Sequence, residues 1–207
     1  MTNSATTINA FQEAVTAWAA VGHTGGDGEA RARAQAAGRG VRTVVLLEGP
    51  SDLAAIEALA VGHGRDLAGE GVCVLPMGGA MSIRRFTRIL GPTGLGLALT
   101  GLCDENERPY YARELDTFSV CSADLEDELI RALGVPRVLQ LVEEQGDLRA
   151  LQTFQRQPAQ QGRAPEQQLR RFLGTKKGRK IQYGRVLTEA LPAGRTPAPL
   201  QALLSGL

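Results

Sequence analysis

The chain has 207 residues, of which 43% are hydrophobic, 22% charged and only 4% aromatic, and its formal net charge is +1. This length suits one good-sized domain with extensions, or two small domains, built on an aliphatic core. The near-zero net charge excludes a uniformly basic or acidic protein. No apolar run reaches about 18 residues and the N-terminus lacks a secretory signal, so we expect no membrane span and a cytoplasmic location.

The three cysteines, Cys73, Cys103 and Cys121, lie in apolar, strand-like runs, and none belongs to a CxxC pair. This placement predicts buried, reduced thiols of the kind that cytosolic proteins carry. The cysteine spacing does not indicate a zinc module.

Residues 1–40 form the first segment. Within it, Ile8, Phe11, Val15 and Trp18 recur at steps of three and four, which predicts an amphipathic helix over residues 6–20. Residues 21–40 are rich in Gly, Ala and Arg, and we interpret them as a linker with one weak helical turn around Glu29 to Ala37. The helix that carries Trp18 offers a surface for a homodimer.

Residues 41–134 predict an α/β domain. Short apolar runs at 41–48, 71–77, 95–104 and 116–122 are typical of buried strands, and helical patterns separate them. Strands that alternate with helices indicate βαβ units, and therefore a mainly parallel, four-stranded sheet flanked by helices. Ligands of such sheets bind at the carboxyl ends of the strands, where Glu48 and Asp104 lie.

Residues 135–207 contain no evident strand. Four helical patterns, at 135–146, 147–157, 165–174 and 183–191, predict a helical extension. This extension either packs on the sheet or forms a small subdomain.

Acidic residues cluster at the predicted strand ends and at helix starts. Glu48 and Asp52 flank the first strand-to-helix turn, Asp104 ends the third strand, and Glu126 and Asp127 open a later helix. A single acidic residue in a first helical turn, such as Asp52, can simply interact favourably with the helix dipole. Residues 126–128, taken alone, would suit the solvated start of a helix. Glu48 differs because it ends a buried apolar strand and precedes Gly-Pro, where a carboxylate has little structural purpose. Together these hard oxygen ligands favour Mg²⁺ or Mn²⁺.

Four sequence motifs resemble those of a known family. LLEGPSD resembles the first motif of Toprim domains and LTGLCDEN the second, in which an Asp-x-Asp is usual. PMGGAMSIRRF and DLEDELIRALG resemble the corresponding turn and helix of the OLD (overcoming lysogenization defect) nucleases. The resemblance covers residues 41–134 and extends loosely to a lysine near 180. The whole chain looks like a stand-alone Toprim protein of actinobacterial type.

The resemblance implies metal-dependent phosphodiester chemistry and a role for each matching residue. Glu48 would be a metal ligand or general acid–base, and Asp52 and Asp104 would hold metal. Glu126, with Asp127, would supply a second metal site. Lys180 would offset charge on the scissile phosphate.

The chain departs from the family pattern in two ways. Where the family has Asp-x-Asp, this chain has Asp104-Glu105-Asn106. The change removes one negative charge from the first metal site, so Glu105 or Glu126 would have to act in place of the missing aspartate. The sequence also has no GxxxxGK[ST] loop. OLD nucleases carry an ATPase domain, so a separate partner would have to supply it.

Positive charge is concentrated near the C-terminus. Residues 149–185 contain ten Lys and Arg and a single acid, whereas 101–147 contain twelve acids and four bases. A basic strip beside an acidic pocket suits a nuclease, and Phe154, Phe172 and Tyr183 are candidates for stacking on bases, although Phe172 also suits the core. Alternatively, the basic segment is a solvated face or pairs with the acidic domain. The predicted nucleic-acid contacts are Arg170, Arg171, Lys176, Lys177, Arg179 and Lys180.

The leading hypothesis is a divalent-metal-dependent nuclease or nickase that hydrolyses phosphodiesters of DNA. RNA is the alternative substrate. One alternative is nucleotidyl transfer, as in primases, although their usual zinc module is not evident here. The second is a non-catalytic Toprim scaffold that binds nucleic acid or a partner protein, which Asn106 favours.

Overall fold

The sheet of the protein is four-stranded and parallel. A computed structural model describes residues 4–21, 26–176 and 178–207. The strands pair in the order β2-β1-β3-β4, and every pairing is parallel, which confirms the predicted α/β architecture. The strands are β1 (Thr43–Leu47), β2 (Val72–Pro76), β3 (Ala98–Asp104) and β4 (Ser119–Cys121).

Helices precede, connect and follow these strands. Short 3-10 turns lie at Ala80–Ser82, Glu105–Glu107 and Pro158–Gln160. The helices are α1 (Ser4–Val21), α2 (Asp27–Arg39), α3 (Pro50–Gly62), α4 (Ile83–Leu90), α5 (Arg108–Tyr111), α6 (Leu125–Leu133), α7 (Val135–Glu144), α8 (Leu148–Gln155), α9 (Pro165–Leu173), α10 (Arg179–Glu189) and α11 (Ala198–Ser205). No helix in these described ranges is long and apolar enough to cross a membrane.

Both faces of the sheet are buried. Successive side chains of a strand point to opposite faces, so Val44 and Leu46 pack with α1, α2 and α4, whereas Val45 and Leu47 pack with α3 and α6–α11. This double burial is the reason that β1 is a continuous apolar run rather than an alternating one.

All three cysteines are buried and unpaired, as predicted. Burial raises the pKa of Cys73 and of Cys103 to about 12, so neither thiol ionises at neutral pH. The cysteines therefore act as small apolar core residues.

The linker interpretation is wrong for residues 27–39, because the helical turn expected around Glu29 to Ala37 is part of a longer helix, α2. Its Ala-rich sequence has high helix propensity, and Ala32 and Ala36, one turn apart, are buried in the same cluster as Phe11 and Trp18 of α1. Because Trp18 is only 3% exposed, it packs inside the chain and is not available as a dimer surface.

The C-terminal helices share one core with the sheet. Leu169, Phe172, Tyr183 and Leu200 belong to the same buried cluster as Val45 and Leu47. The sequence pattern did not predict α11, which contacts β3 and β4. The three-part division at residues 40 and 134 stays a prediction.

Helix α10 crosses the start of α3 at very close range. A Cβ on Gly184 would lie 2.7 Å from the carbonyl oxygen of Ser51, so only glycine permits this approach. The contact sets α10 beside the turn that joins β1 to α3, and with it the side chain of Lys180.

We predict that Gly184→Ala destabilises the fold by about 2 kcal/mol, because an added methyl group forces two backbones apart. Urea denaturation measures the change. Gly62→Ala is the matched control, since a Cβ there meets nothing within 4 Å. Equal stability of the two variants would contradict the close-packing interpretation.

Candidate metal centre

A pair of glycines fixes the backbone at the end of β1. The carbonyl oxygen of Glu48 accepts hydrogen bonds from the N–H groups of both Gly78 and Gly79, each at 3.0 Å. Their φ angles of 75° and 124° are in the region that favours glycine. The Gly-rich turn after β2 therefore anchors Glu48, and this contact explains the GGAM motif.

Asp52 lies in the first turn of α3 and faces Glu48. Its Oδ2 accepts the N–H of Gly49 at 2.9 Å, and Glu48, Asp52 and Asp104 line one small cavity at the strand ends. Burial raises the pKa of Asp52 to about 7, and the neighbouring charges of Glu126 and Glu48 add to the shift. Capping alone does not account for Asp52.

Three carboxylates converge at the carboxyl edge of the sheet. One oxygen each of Glu48, Asp104 and Glu107 lies within 4.8 Å of the other two. Burial raises the pKa of Asp104 to about 8, and burial together with a hydrogen bond to Glu48 raises the pKa of Glu107 to about 7. Among the described residues, Oε2 of Glu107 is buried without a hydrogen-bond partner. A divalent cation that prefers oxygen ligands fits this set.

Sequence analysis missed Glu107. The 3-10 turn after β3 places residue 107, three positions after Asp104, beside the strand end, whereas Glu105 and Asn106 are exposed. Glu105 pairs instead with Arg108 at 3.4 Å. The structure therefore does not bring Glu105 into the cluster, contrary to the expectation that Glu105 acts in place of the missing aspartate. The spacing Asp104-x-x-Glu107 was the available signal.

Glu126 lies at the start of α6 and forms an ion pair with Lys180. Its side chain is 2% exposed, and its Oε2 lies 3.0 Å from the Nζ of Lys180. Burial raises the pKa of Glu126, although Lys180 opposes this shift. Burial of the ammonium opposes its charge, yet Glu126 raises the pKa of Lys180 above its usual value. The pair keeps Lys180 beside the carboxylates.

The structure does not bring Asp127 into the carboxylate cluster. Its Oδ2 accepts the Nε of Arg131 at 2.8 Å, and its backbone N–H is donated to Asp124. Asp124, the N-cap of α6, also accepts the Nε of Arg170 at 2.6 Å. Asp127 thus lies in a helix-surface ion pair, while Asp124 is, among neighbouring charges, the largest contributor to the raised pKa of Asp104.

Arg179 is buried and held inside the protein. Its guanidinium pairs with both oxygens of Asp147 at 3.2 Å and lies 4.0 Å from the centre of the Phe172 ring. With 7% exposure it cannot reach a nucleic acid, which contradicts its predicted role. The network instead fixes the first turn of α10, where Lys180 lies.

The three aromatic residues predicted to stack on bases are core residues. Phe154, Phe172 and Tyr183 are at most 9% exposed. The hydroxyl group of Tyr183 is donated to Asp147 at 3.2 Å. The stacking prediction is therefore wrong for all three, and the core alternative for Phe172 is confirmed.

The other predicted nucleic-acid contacts lie on the surface. Arg171 and Lys176 are exposed, and Arg170 is half-exposed while paired with Asp124. Arg163, Arg170 and Arg171 line a groove that also contains Asp124 and Asp127. Lys177 lies outside the described residues.

The fold and the site define the class of protein. A parallel sheet with carboxylates after its two central strands is the arrangement of a Toprim domain. Residues 41–105 match the family model of the Toprim domain of overcoming lysogenization defect protein-like proteins. Over these residues the chain resembles a Toprim domain, and its fold is similar to that of the C-terminal region of OLD proteins. Such domains generally bind divalent metal, which agrees with the acidic cluster.

Solved structures support the same fold. The C-terminal region of the Burkholderia pseudomallei OLD protein superposes with a TM-score of 0.60 at 18% identity, over 80% of this chain and 96% of that one. The C-terminal region of the Xanthomonas campestris pv. campestris OLD protein gives a TM-score of 0.59 at 21% identity, over 80% and 91%. No curated protein sequence matches the chain significantly.

We predict that, without metal, the protein loses stability as pH rises from about 5 to about 8. The pKa values of Asp52, Asp104 and Glu107 are raised to about 7, 8 and 7, so the folded state binds more protons than the unfolded state in this window. Thermal melts in EDTA measure the effect, and Mn²⁺ should reverse it at the upper end.

Asp104→Asn should flatten this pH dependence, because it removes the carboxyl with the highest of the three pKa values. Asp116→Asn, at an exposed acid, is the control and should leave the dependence unchanged. A wild-type melting temperature that rises with pH in EDTA would contradict the prediction.

We predict that Glu107→Gln weakens Mn²⁺ binding by roughly tenfold or more, because a metal ligand loses its charge. Glu105→Gln, two residues away and exposed, is the matched control and should bind normally. Isothermal titration calorimetry or the Mn²⁺-induced thermal shift measures both variants. If both variants lost Mn²⁺ affinity equally, Glu107 would not be a metal ligand.

Proposed function

We propose that the protein is a divalent-metal-dependent nuclease or nickase that hydrolyses DNA phosphodiesters. The observation that carries the proposal is the convergence of Glu48, Asp104 and Glu107 oxygens within 4.8 Å at the carboxyl edge of the sheet. Three acids this close repel one another unless protons or cations separate them. The resemblance to OLD nucleases supports the same chemistry.

In this proposal Glu48, Asp104 and Glu107 hold Mg²⁺ or Mn²⁺, with Asp52 beside them. Glu126 belongs to a second metal site. When bound, the metal supplies a Lewis acid that offsets charge on the phosphate oxygens. Glu48 also serves as the general acid–base, which is the other role that the resemblance implies for it.

Lys180 contributes fixed positive charge next to the carboxylates. Its side chain is 47% exposed and its ammonium pairs with Glu126, which leaves other N–H donors for a phosphate. Because α10 is anchored by Gly184 and Arg179, the charge is in position before substrate arrives, which is the condition for effective electrostatic stabilisation.

The basic groove of α9 supports nucleic acid as the substrate. Arg163 and Arg171 are exposed there and lie next to Asp124 at the start of α6. Phosphate backbones bind such arginines through charge-assisted hydrogen bonds. The same groove fits RNA, so both polymers belong in the assay.

Incubation with supercoiled plasmid at low salt, in Mg²⁺, Mn²⁺ or EDTA, tests the proposal. We expect metal-dependent nicking that Glu48→Gln abolishes. Glu13→Gln, which changes an exposed acid of α1, should cleave normally. A parallel reaction with a structured RNA determines the polymer. Cleavage that persists in EDTA or in Glu48→Gln would refute the proposed mechanism.

A non-catalytic scaffold is the second candidate, and the exposed Asn106 in place of an acidic residue favours it. On this alternative, DNA binding survives both Glu48→Gln and Asp104→Asn, and no metal supports cleavage by the wild type. Homodimerisation and an ATPase partner stay predictions. Size-exclusion chromatography with light scattering measures the first directly.

A further inference from the structure

A second basic surface adjoins the acidic cluster, on the other face of the sheet from α9 and α10. We call it the α4–α5 face and define it by Met81, Arg84, Arg85, Arg108 and Tyr110. The 3-10 turn with Met81 follows the carboxyl end of β2, and α5 follows the segment with Asp104 and Glu107. The turn and α5 contact each other, so the face is continuous with the site.

The charge of this face is positive and exposed. Residues 72–103 contain three arginines, all on α4, and no acidic residue. Ile83, Phe86, Ile89 and Leu90 of α4 are buried, which leaves Arg84 and Arg85 on the solvent side. The hydrophobic pattern of α4 therefore fixes the direction of its arginines.

The ion pairs on this face are weak. Arg84 approaches Glu114 only to 4.0 Å and its side chain is 89% exposed, while Arg108 pairs with Glu105 at 3.4 Å with both side chains more than half exposed. Exposed pairs of this kind contribute little, and a phosphate oxygen can replace the carboxylate. These arginines therefore suit a polyanion.

Large apolar side chains accompany the arginines. Met81 is 79% and Tyr110 is 40% exposed, in contrast to the buried Phe154, Phe172 and Tyr183. An aromatic ring among arginines and close to a metal centre is suited to stacking on a nucleic-acid base. Tyr110 is thus a large exposed aromatic side chain, unlike the three aromatic residues for which stacking was predicted.

Building on the proposed function, we propose that the α4–α5 face binds the nucleic-acid strand on the side of the acidic cluster opposite α9. Arg84, Arg85 and Arg108 contact phosphates, and Tyr110 stacks on an unpaired base. Bases inside an intact duplex are stacked on their neighbours, so Tyr110 selects a strand with at least one unpaired nucleotide near the cleaved bond.

Fluorescence anisotropy in EDTA tests the phosphate contacts without any requirement for cleavage. A labelled single strand and its blunt duplex are titrated with wild type, Arg84→Gln/Arg85→Gln and Arg31→Gln/Arg33→Gln. The control pair loses the same charge from exposed positions on α2, where Arg33 hydrogen bonds to Gly94 before β3, at the amino edge of the sheet.

We expect Arg84→Gln/Arg85→Gln to bind the single strand roughly tenfold more weakly and to reduce the salt slope of log K by about 1.4, because two phosphate contacts are lost. The control should match wild type. Equal behaviour of the two double variants, or no binding by wild type, overturns the proposal.

Tyr110→Ala and Tyr110→Phe test the stacking contact. We expect Tyr110→Ala to lose roughly fivefold or more in single-strand affinity and Tyr110→Phe to bind like wild type, because phenylalanine keeps the stacking ring. Duplex binding should change little. Equal effects on strand and duplex, or none, overturn the stacking role. These outcomes are separate from nicking, so either proposal can fail alone.

Discussion

Mutual repulsion among carboxylates at the carboxyl edge of the sheet is the constraint on which the rest of this structure depends. Glu48, Asp104 and Glu107 come from different elements, yet their oxygens lie within 4.8 Å of each other. Burial is the main cause of the raised pKa values of Asp104 and Glu107, and the charges of the neighbouring carboxylates raise them further. Three features of the fold oppose this repulsion. Asp104 and Glu107 are joined by a short turn, the N–H groups of Gly78 and Gly79 hold the Glu48 carbonyl oxygen, and positive charges lie nearby.

The C-terminal helices supply that positive charge. Arg170 of α9 pairs with Asp124, Lys180 of α10 pairs with Glu126, and Arg179 pairs with Asp147. The alternative in which the basic segment pairs with the acidic domain is therefore correct for Arg170 and Lys180, whereas Arg179 pairs with Asp147 within the C-terminal extension. It does not exclude contact with phosphates, because Arg170 and Lys180 stay partly exposed, whereas Arg179 does not. The extension is thus part of the site's electrostatics.

The sequence predicted the sheet and the position of Glu48 because buried parallel strands are continuous apolar runs whose ends share one edge. It predicted only a weak helical turn where α2 lies, since Gly, Ala and Arg are common to linkers and to exposed helices. It did not identify Glu107, which depends on the 3-10 geometry of a single turn. Nor could it show that Arg179 is buried whereas Arg171 is exposed. An arginine can pair with a carboxylate or with a phosphate, and only the packing of the chain determines which of the two it can reach.

The loss of an acid at Asn106 has less consequence than the motif alone indicates. Asn106 is exposed, whereas Glu107 contributes a carboxylate to the cluster, so the end of β3 and the turn after it still provide two carboxyl groups, those of Asp104 and Glu107. An additional aspartate at 106 would add one more negative charge near Asp104, whose pKa burial and, after it, the neighbouring carboxylates already raise to about 8. Asn106 therefore leaves three carboxylates, those of Glu48, Asp104 and Glu107, together at the carboxyl edge of the sheet.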